Sequence, residues 1–297
     1  MVPHVTVCIC TFRRPSYLKR LLDKLQEQST GNAFSFSAVV CDNHAGQSAA
    51  PIVTAAREIA TMDIVYCCEP RKNIALARNK AVEQAHGDFV AFIDDDEFPA
   101  AGWLQSLFSA CNTYGADGVL GPVRPHFESP PPGWIVKGRF CQRPEHKTGS
   151  RMPWEKCRTG NLLFRRRILQ GTTQPFRADF GTGEEDNDFF VRLTQQGCVF
   201  IWCNEAIVHE TVPPYRYTRG YMIKRALLRG RNILKLPVSR FALLTRSAVA
   251  IPVYCLALPV LLILGHHWFM RYCVKLCDHL GRLLAVLRIN PISEREA

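Results

Sequence analysis

An uninterrupted run of acidic side chains follows one apolar segment of the chain. Asp94, Asp95, Asp96 and Glu97 come directly after the residues FVAFI. Carboxylates this close repel one another, and the repulsion raises their pKa values unless a cation lies among them. Carboxylate oxygens are the ligands that Mg²⁺ and Mn²⁺ prefer, above all where phosphate oxygens share the ion. The run therefore predicts a divalent metal site, and a solvated acidic turn is the alternative.

Three other segments carry groups that could act beside such an ion. Arg78 lies midway along the predicted helix before the acidic run, and its planar guanidinium suits phosphate, although it could be a surface charge. Glu185 and Asp186 open another predicted helix, where the helix dipole favours carboxylates. One of them could instead be a general base, and spacing does not separate these roles. His209 follows the strand-like VFIWCNEAIV and is either structural or a metal ligand.

These groups need a scaffold that brings distant segments together. Apolar runs of strand length alternate with amphipathic runs of helical period, which is typical of a mostly parallel sheet covered by helices on both faces. The expected strands are 5–10, 38–41, 64–68, 89–93, 119–123 and 199–202, and an ordered segment of unspecified type is expected at 160–164. The expected helices begin after Pro15 and span 52–60, 74–85, 103–114 and 185–196. In such sheets ligands bind at the carboxyl ends of strands, where Asp42 and the acidic run both lie. The Pro-rich stretch 121–153 is expected to be a long loop.

Length and composition exclude several classes of protein. The chain has 297 residues, of which 47% are hydrophobic and 21% are charged, so collagen-like, low-complexity and wholly disordered proteins are excluded. Its 13 cysteines contain no CxxC pair and no zinc-ligand spacing. We expect them to be reduced thiols of a cytosolic protein.

The net charge of +11 belongs to one segment of the chain. Residues 211–277 contain 11 Lys and Arg residues and no acidic residue, whereas the rest of the chain is neutral. A basic segment of this kind binds phosphate groups of any source, including nucleic acid. Its position beside a long apolar run favours anionic lipid headgroups or a lipid diphosphate, so no nucleic-acid partner is expected.

The C-terminal part of the chain is predicted to associate with a membrane. Residues 247–270 carry no formal charge, and about 20 apolar residues suffice to cross a bilayer. Pro252 and Pro259 would kink a helix there, so a kinked span, a re-entrant hairpin and an in-plane helix remain open, as does a buried pair of core helices. The following stretch, 274–288, is basic and amphipathic, as interfacial helices are.

Four segments, in their order along the chain, resemble the family 2 glycosyltransferases with the GT-A fold. They are CTFRRPSYLKRLLDKL, VVCDNHAG, NIALARNKAVEQAHGDFVAFIDDDEFPAAGWL and GEEDNDFFVRLTQQG, and the resemblance covers residues 5–231. The segments GPVRPHFESPPPGW, RTGN and HETVPPYRYTRGYMIKRALLRG are most similar to the bacterial exopolysaccharide enzymes, succinoglycan-type β-glucosyltransferases in particular. The resemblance implies a Rossmann-like α/β fold of the GT-A class, followed by a membrane-associated helical segment.

The resemblance also implies a role for each matching residue. The residues that it places at the nucleotide sugar are Thr11, Arg13, Asp42, Arg78, Asp94 and Asp95. The residues that it places at a Mn²⁺ or Mg²⁺ ion are Asp96, Asp94 and His209. It makes Asp186 the catalytic base with Glu185 beside it, and a shift of one residue in the match would make Glu185 the base.

The function implied is that of an inverting transferase at the cytoplasmic face of the inner membrane. It would move a hexose, with UDP-glucose as the expected donor, to a hydroxyl of a lipid-diphosphate-linked oligosaccharide in cell-surface polysaccharide synthesis. The expected domains are a catalytic domain (1–212), a basic helical linker (213–240) and membrane-associated helices (241–297). The alternatives are a polyprenyl-phosphate glycosyltransferase and a catalytically silent membrane-binding scaffold.

Overall fold

The computed structural model describes residues 2–181, 183–233 and 239–289. The strands are β1 (His4–Thr11), β2 (Ser35–Asp42), β3 (Ile64–Cys68), β4 (Phe89–Ile93), β5 (Glu97–Pro99), β6 (Gly118–Leu120), β7 (Val123–His126), β8 (Asn161–Arg165), β9 (Phe200–Trp202) and β10 (Val208–Thr211). The helices are α1 (Pro15–Gln26), α2 (Ala50–Ile59), α3 (Ile74–Gln84), α4 (Trp103–Thr113), α5 (Gly133–Lys137), α6 (Glu185–Gln195), α7 (Arg219–Asn232), α8 (Arg240–Leu264) and α9 (His266–Val286).

The described residues divide into two compact units. Those within 1–124 and 143–210 form the first unit, and those within 125–142 and 211–297 form the second. Residues 125–142, which the sequence assigned to the catalytic domain, therefore group with the C-terminal helices. Parts of the predicted linker and membrane segments, residues 234–238 with Lys235 and residues 290–297, lie outside the described residues.

The first unit is built on a seven-stranded sheet of order β3-β2-β1-β4-β8-β6-β9. Strands β3, β2, β1 and β4 run parallel, and only β8 is antiparallel to its neighbours β4 and β6. The central strands are nearly continuous apolar runs because both faces of the sheet are buried. The predicted α/β fold with a mostly parallel sheet is confirmed.

Helices cover both faces of this sheet. On one face the core contains the four buried leucines of α1 (Leu18, Leu21, Leu22 and Leu25) and Trp103 of α4. On the other face it contains small residues of α3, such as Ala77 and Ala81, and aromatic residues of α6. The apolar spacing that predicted these helices therefore identifies the faces that they bury.

The carboxyl ends of β1, β2 and β4 meet at one edge of the sheet. Thr11 of β1 lies in register with Asp42 of β2, and β4 ends next to them at Ile93, just before the acidic run. One residue earlier, Cys10 lies in register with Cys41, and Cys41 with Cys67 of β3. We call these three unpaired cysteines the thiol row. The predicted common edge is confirmed.

Several local predictions were wrong or incomplete. The expected strand 119–123 is two strands, β6 and β7, because Pro122 has no N–H and Gly121 lies where a Cβ would be 2.2 Å from the Ala206 carbonyl oxygen. The expected loop 121–153 contains β7 and α5. Strands β5 and β10 were not predicted, and their antiparallel pairing sets Glu97 opposite Glu210.

The second unit consists mainly of helices α7, α8 and α9. Residues 241–264 of α8 contain an 18-residue window with a mean hydropathy of 2.4 and by length and composition could cross a membrane, so the predicted apolar C-terminal helix is confirmed. The uncharged run 247–270 is not one helix, because Gly265 ends α8 with a φ of 138°. The amphipathic helix α9 accordingly begins at His266, earlier than the predicted 274.

Candidate functional site

Arg78 joins two of the predicted acidic clusters. It lies on α3, which the Asn73 side chain caps by accepting hydrogen bonds from the N–H groups of Ala75 and Leu76. The Arg78 Nη1 atom donates to Glu185 Oε1 of α6, and Nη2 lies 3.7 Å from Oδ1 of Asp94. Segments more than 90 residues apart in sequence therefore meet at one guanidinium.

The electrostatics of Arg78 show that carboxylates dominate its surroundings. Burial by itself would lower the pKa of Arg78, but the charges of Glu185, Asp94 and Asp186 outweigh burial and raise the pKa above its usual range. The guanidinium also lies over the ring of Phe176, at 5.6 Å from its centroid. Arg78 is thus a permanently charged, buried cation at the carboxyl edge of the sheet.

A second arginine organises the acidic run. Arg14 Nη1 donates to Oδ1 of Asp95 at 2.9 Å and to Oδ2 of Asp96 at 3.0 Å. Thr11 Oγ1 donates to the other oxygen of Asp95 at 2.8 Å. Burial raises the pKa of Asp95 to about 6, although the Arg14 charge opposes the rise. Thr11 therefore positions a carboxylate of the acidic run.

Arg14 was missed by sequence reasoning, which chose its neighbour. Arg13 is exposed, has a φ of 56°, and its guanidinium lies 6.0 Å from the ring centroid of Phe12. The signal in the sequence was the pair of arginines after the first strand, and only the three-dimensional pairing shows which of them faces the acidic run. A role for Arg13 at the nucleotide stays a prediction.

Glu97 completes the acidic run inside the protein. Its side chain is 1% exposed, Oε2 accepts the N–H of Asp94 at 3.2 Å, and within the described part of the chain Oε1 has no hydrogen-bond partner. Burial raises the pKa of Glu97 well above its usual range, the carboxylate of Asp94 adds to the rise, and Arg143 opposes it. Arg143, which was also missed, pairs with Glu210 at 2.7 Å.

Gly160 provides the space for these carboxylates. A Cβ at this position would lie 2.8 Å from Oε1 of Glu97 and 3.0 Å from Oδ2 of Asp94, too close for either oxygen to stay in place. The next residue, Asn161, has a structural role, because it accepts the Trp103 indole N–H at 2.8 Å and donates to the carbonyls of Pro122 and Ala206. In the RTGN segment, Gly160 thus leaves room beside the acidic run, and Asn161 holds the neighbouring segments together by hydrogen bonds.

The acidic run suits a divalent cation in its chemistry. Among residues 2–181, 183–233 and 239–289, no three His, Cys, Asp or Glu side chains are already gathered as a metal shell. The oxygen donors, the orphaned Oε1 of Glu97 and the space at Gly160 nevertheless fit a hard ion. His209 lies on β10, and its ring stacks on that of Phe98 of the neighbouring β5, with centroids 5.3 Å apart. Its role as a metal ligand stays a prediction.

Asp42 is engaged in holding the loop that follows it. It is fully buried, its Oδ1 accepts the N–H of His44 at 3.0 Å, and its Oδ2 accepts the N–H of Ala49 at 2.7 Å. The Tyr66 hydroxyl lies 3.4 Å from Oδ2. Asp42 therefore shapes the loop 43–49 beside Thr11, and its contact with a donor base stays a prediction.

Glu185 and Asp186 differ in their surroundings although they are adjacent. Glu185 is buried against Arg78, whereas Asp186 is partly exposed and its Oδ1 accepts the N–H of Asn187 at 2.8 Å. Among the residues that the structure describes, Asp186 forms no salt bridge. Glu184 begins the helix with a φ of 77°, the left-handed conformation that favours glycine. Two carboxylates, one a counter-ion and one reachable from solvent, thus occupy the first turn of α6.

Comparison with known proteins connects this geometry to a family. The sequence profile described as "Glycosyl transferase family 2" matches residues 6–172. The chain is 36% identical over 236 residues to the succinoglycan biosynthesis protein ExoM of Rhizobium meliloti, a match that covers 77% of this chain and 74% of ExoM.

Solved structures share the fold at low sequence identity. The mannosyltransferase PcManGT from Pyrobaculum calidifontis, in complex with GDP-Man and Mn²⁺, has a TM-score of 0.64 and 19% identity over 95% of this chain and 87% of PcManGT. Residues 1–349 of S. aureus TarS, in complex with UDP-GlcNAc, have a TM-score of 0.54 and 16% identity over 79% of this chain and 68% of that one. The chain spans only 40% of the longer TarS chain. These likenesses show the fold alone.

Proposed function

Because the chain belongs to glycosyl transferase family 2, as its motifs predicted, we propose that it is an inverting hexosyltransferase. The proposed donor is a nucleoside-diphosphate sugar, UDP-glucose first, and the proposed acceptor is a hydroxyl of a lipid-diphosphate-linked oligosaccharide. The observation that carries the proposal is Arg78, a buried cation that contacts both the acidic run and the first turn of α6. The carboxyl edge of the sheet thus holds a group for the leaving diphosphate next to a candidate base.

The arginines of the site would serve the leaving group. When the bond between the sugar and the nucleoside diphosphate breaks, negative charge builds up on the diphosphate, and a fixed positive charge nearby lowers the barrier. Arg78 is held in place by Glu185 and Asp94, so its charge needs no reorganisation during the reaction. We propose that it faces the diphosphate, with Thr11, Arg13, Asp42, Asp94 and Asp95 lining the remainder of the donor site.

Asp96 and Asp94 would hold a Mn²⁺ or Mg²⁺ ion, with His209 as a further ligand. Such an ion, when bound, neutralises charge on the diphosphate. Arg14 keeps Asp95 and Asp96 together through one nitrogen, and Gly160 keeps the space beside Asp94 open. The mannosyltransferase of the same fold contains Mn²⁺, which supports the choice of ion.

Asp186 is the proposed base. A base must reach the acceptor hydroxyl, and Asp186 is partly exposed with no salt bridge among the described residues. Glu185 is the poorer candidate because it is buried and neutralises Arg78. We propose that Asp186 takes the hydroxyl proton while the acceptor oxygen attacks opposite the leaving group. A single displacement of this kind inverts the anomeric centre and needs no protein nucleophile.

The acceptor and the location rest on other support. The relative from Rhizobium meliloti is named for succinoglycan biosynthesis, and α8 is long and apolar enough for a membrane. We propose that the acceptor is carried by a polyprenyl lipid at the cytoplasmic face of the inner membrane. The basic residues of α7, with Lys235 beyond the described part of that segment, would lie near its diphosphate or near anionic headgroups.

The test is release of nucleoside diphosphate by the detergent-solubilised full chain, with a panel of nucleotide sugars, Mn²⁺ and lipid extract as acceptor. Asp186→Asn should lower turnover by about 10²–10⁴-fold. Asp179→Asn is the matched control, because Asp179 lies in the same region but is 79% exposed, and it should leave turnover unchanged. Full turnover by Asp186→Asn would rule out Asp186 as the catalytic base. Transfer to a lipid phosphate at an unchanged rate in Asp186→Asn would favour a polyprenyl-phosphate glycosyltransferase.

A further inference from the structure

We propose that α8 and α9 form a monotopic hairpin that lies in the plane of an anionic bilayer and inserts only the apolar face of α8. This inference rests on the membrane location within the proposed function and adds the topology. Length and hydropathy alone would equally allow α8 to cross the membrane. The contacts of α8 with α9, and of α9 with α7, decide against a crossing.

From residue 249 to residue 263, one face of α8 is exposed and apolar. Its residues, which we call the α8 stripe, are Val249, Val253, Leu256, Val260 and Ile263. They recur at intervals of four and three, so they lie on one side of the helix. Leu256 is 80% exposed and Ile263 is 87% exposed. A contiguous apolar surface of this kind marks a site of contact with a partner or a membrane.

The opposite face of α8 is covered by α9. The Ser247 hydroxyl and Nδ1 of His279 are 3.0 Å apart. The ring of Tyr254 packs against those of His279 and Tyr272, with centroids 5.8 Å and 5.6 Å apart. Higher residue numbers on α8 meet lower ones on α9, so the two helices run antiparallel from the turn at Gly265. Any depth that α8 reaches in a bilayer is therefore shared by α9.

Helix α9 is also fixed to α7. A Cβ at Gly230 would lie 2.1 Å from the carbonyl oxygen of Asp278, and a Cβ at Gly281 would lie 2.3 Å from that of Leu227. The two backbones thus touch where these glycines face each other. Arg229 binds Asp278 through two hydrogen bonds of 2.9 Å and 2.7 Å. Because of this packing, α9 cannot leave α7 to accompany α8 across a membrane without breaking the three-helix unit.

The charges of α9 then weigh against a crossing. Tyr272 packs beside Tyr254, near the middle of α8, and its neighbours include Arg271, which is exposed, and Lys275, which is exposed as well. At the centre of a bilayer each such charge is costly, whereas at the surface of an anionic leaflet each is attracted. Trp268, which is 40% exposed, adds an aromatic group of the kind enriched at membrane interfaces. A hairpin in the plane of the membrane would place the basic residues at the anionic surface and Trp268 at the interface.

The composition of this segment selects an anionic surface. From residue 239 to residue 289 the chain has six basic residues, Arg240, Arg246, Arg271, Lys275, Arg282 and Arg288, and one acidic residue, Asp278. The charge of Asp278 is offset by Arg229. The apolar stripe is therefore accompanied by uncompensated positive charge, which is the pattern of helices that lie on anionic membranes.

The first experiment maps the turn between the helices in the full chain. His267→Cys is labelled with a membrane-impermeant maleimide in intact spheroplasts and in inverted membrane vesicles, and peptide mass spectrometry separates this site from the native cysteines. An in-plane hairpin predicts labelling in inverted vesicles only. Labelling from outside would show a span, absence of labelling from both sides would show a re-entrant hairpin, and either result would overturn the proposal.

The second experiment tests the face and the charge with phosphatidylcholine vesicles that contain or lack phosphatidylglycerol. Leu256→Asp should reduce binding at least tenfold, and Arg271→Gln should reduce binding to anionic vesicles about fivefold. Tyr114→Asp is the matched control, an exposed apolar position of the first unit that should change nothing. Equal binding of the parent to neutral vesicles, or a dimer that shields the stripe on vesicles, would overturn the proposal. Release of nucleoside diphosphate in detergent is measured in parallel. It tests the proposed enzymatic function independently of membrane topology.

Discussion

Replacing Arg78 by methionine should destabilise the first unit, because the buried carboxylate of Glu185 loses its contact with this cation. The side chains of Arg78 and Glu185 are 7% and 8% exposed, and removing one partner of such a pair costs about 3–5 kcal/mol. A buried glutamate can limit this cost by taking up a proton. From an ordinary glutamate pKa of about 4.3, that costs about 3.7 kcal/mol at pH 7. The expected loss of unfolding free energy at pH 7 is therefore about 3–4 kcal/mol.

The loss should shrink as the pH falls. At pH 5 the proton costs only about 1 kcal/mol, so Arg78→Met should then lose about 1 kcal/mol. The folded variant holds a proton that its unfolded chain lacks between these pH values, so acid favours the folded variant. The assay is urea unfolding of the detergent-solubilised chain at pH 7 and pH 5, followed by tryptophan fluorescence.

A matched arginine separates this effect from a general loss of side-chain contacts. Arg177 also lies over an aromatic ring, that of Phe180 at 5.5 Å, and lies 3.3 Å from a carboxylate oxygen, but it is 54% exposed. Arg177→Met should cost less than about 1 kcal/mol. Combining Arg78→Met with Glu185→Gln should recover most of the stability. Equal losses for Arg78→Met at both pH values, or a loss below about 1 kcal/mol at pH 7, would refute this account of Arg78.

Three other substitutions test the frame of the site. Glu184→Gly should be more stable to urea than Glu184→Ala by about 1 kcal/mol, because both lose the side chain and only glycine relieves the left-handed backbone; equal stabilities would contradict this. Gly160→Ala should weaken metal-dependent nucleotide binding in calorimetry, whereas Gly220→Ala, at an open position, should not. Asn161→Ala should cost about 2–4 kcal/mol of unfolding free energy, because the Trp103 indole N–H and the Ala206 carbonyl lose the side chain that they bond, whereas the Pro122 carbonyl keeps the Val208 N–H; a loss below about 1 kcal/mol would count against that role.

The sequence was sufficient to predict the order of most helices and strands and the sheet edge at which the acidic residues meet. Periodicity predicted α3 at 74–85 and α6 at 185–196, and the structure has them at Ile74–Gln84 and Glu185–Gln195. Their bounds are clear because Asn73 and the acidic first turn are local signals of a helix start. Apolar strands that end in acidic residues likewise predicted the common edge, since the strands concerned run parallel.

Pairings between distant residues could not be predicted in this way. Which of Arg13 and Arg14 faces the acidic run depends on a contact 81 residues away in sequence. The bond between Arg78 and Glu185 spans 107 residues. Strands β5 (EFP) and β10 (VHET) were missed because they are short and contain no apolar run, unlike the equally short β6 and β9. Their pairing is what brings Glu210 and Arg143 beside Glu97.

The thiol row limits where such an enzyme can work. Neighbouring strands lie about 4.8 Å apart, within the span of about 4.4–6.8 Å that a disulfide bridges. An oxidant could therefore tie β1 to β2, or β2 to β3, one residue before Thr11 and Asp42. Extracellular and periplasmic spaces favour such bonds. Under the proposed function, the hexose would thus be added on the reducing side of the membrane.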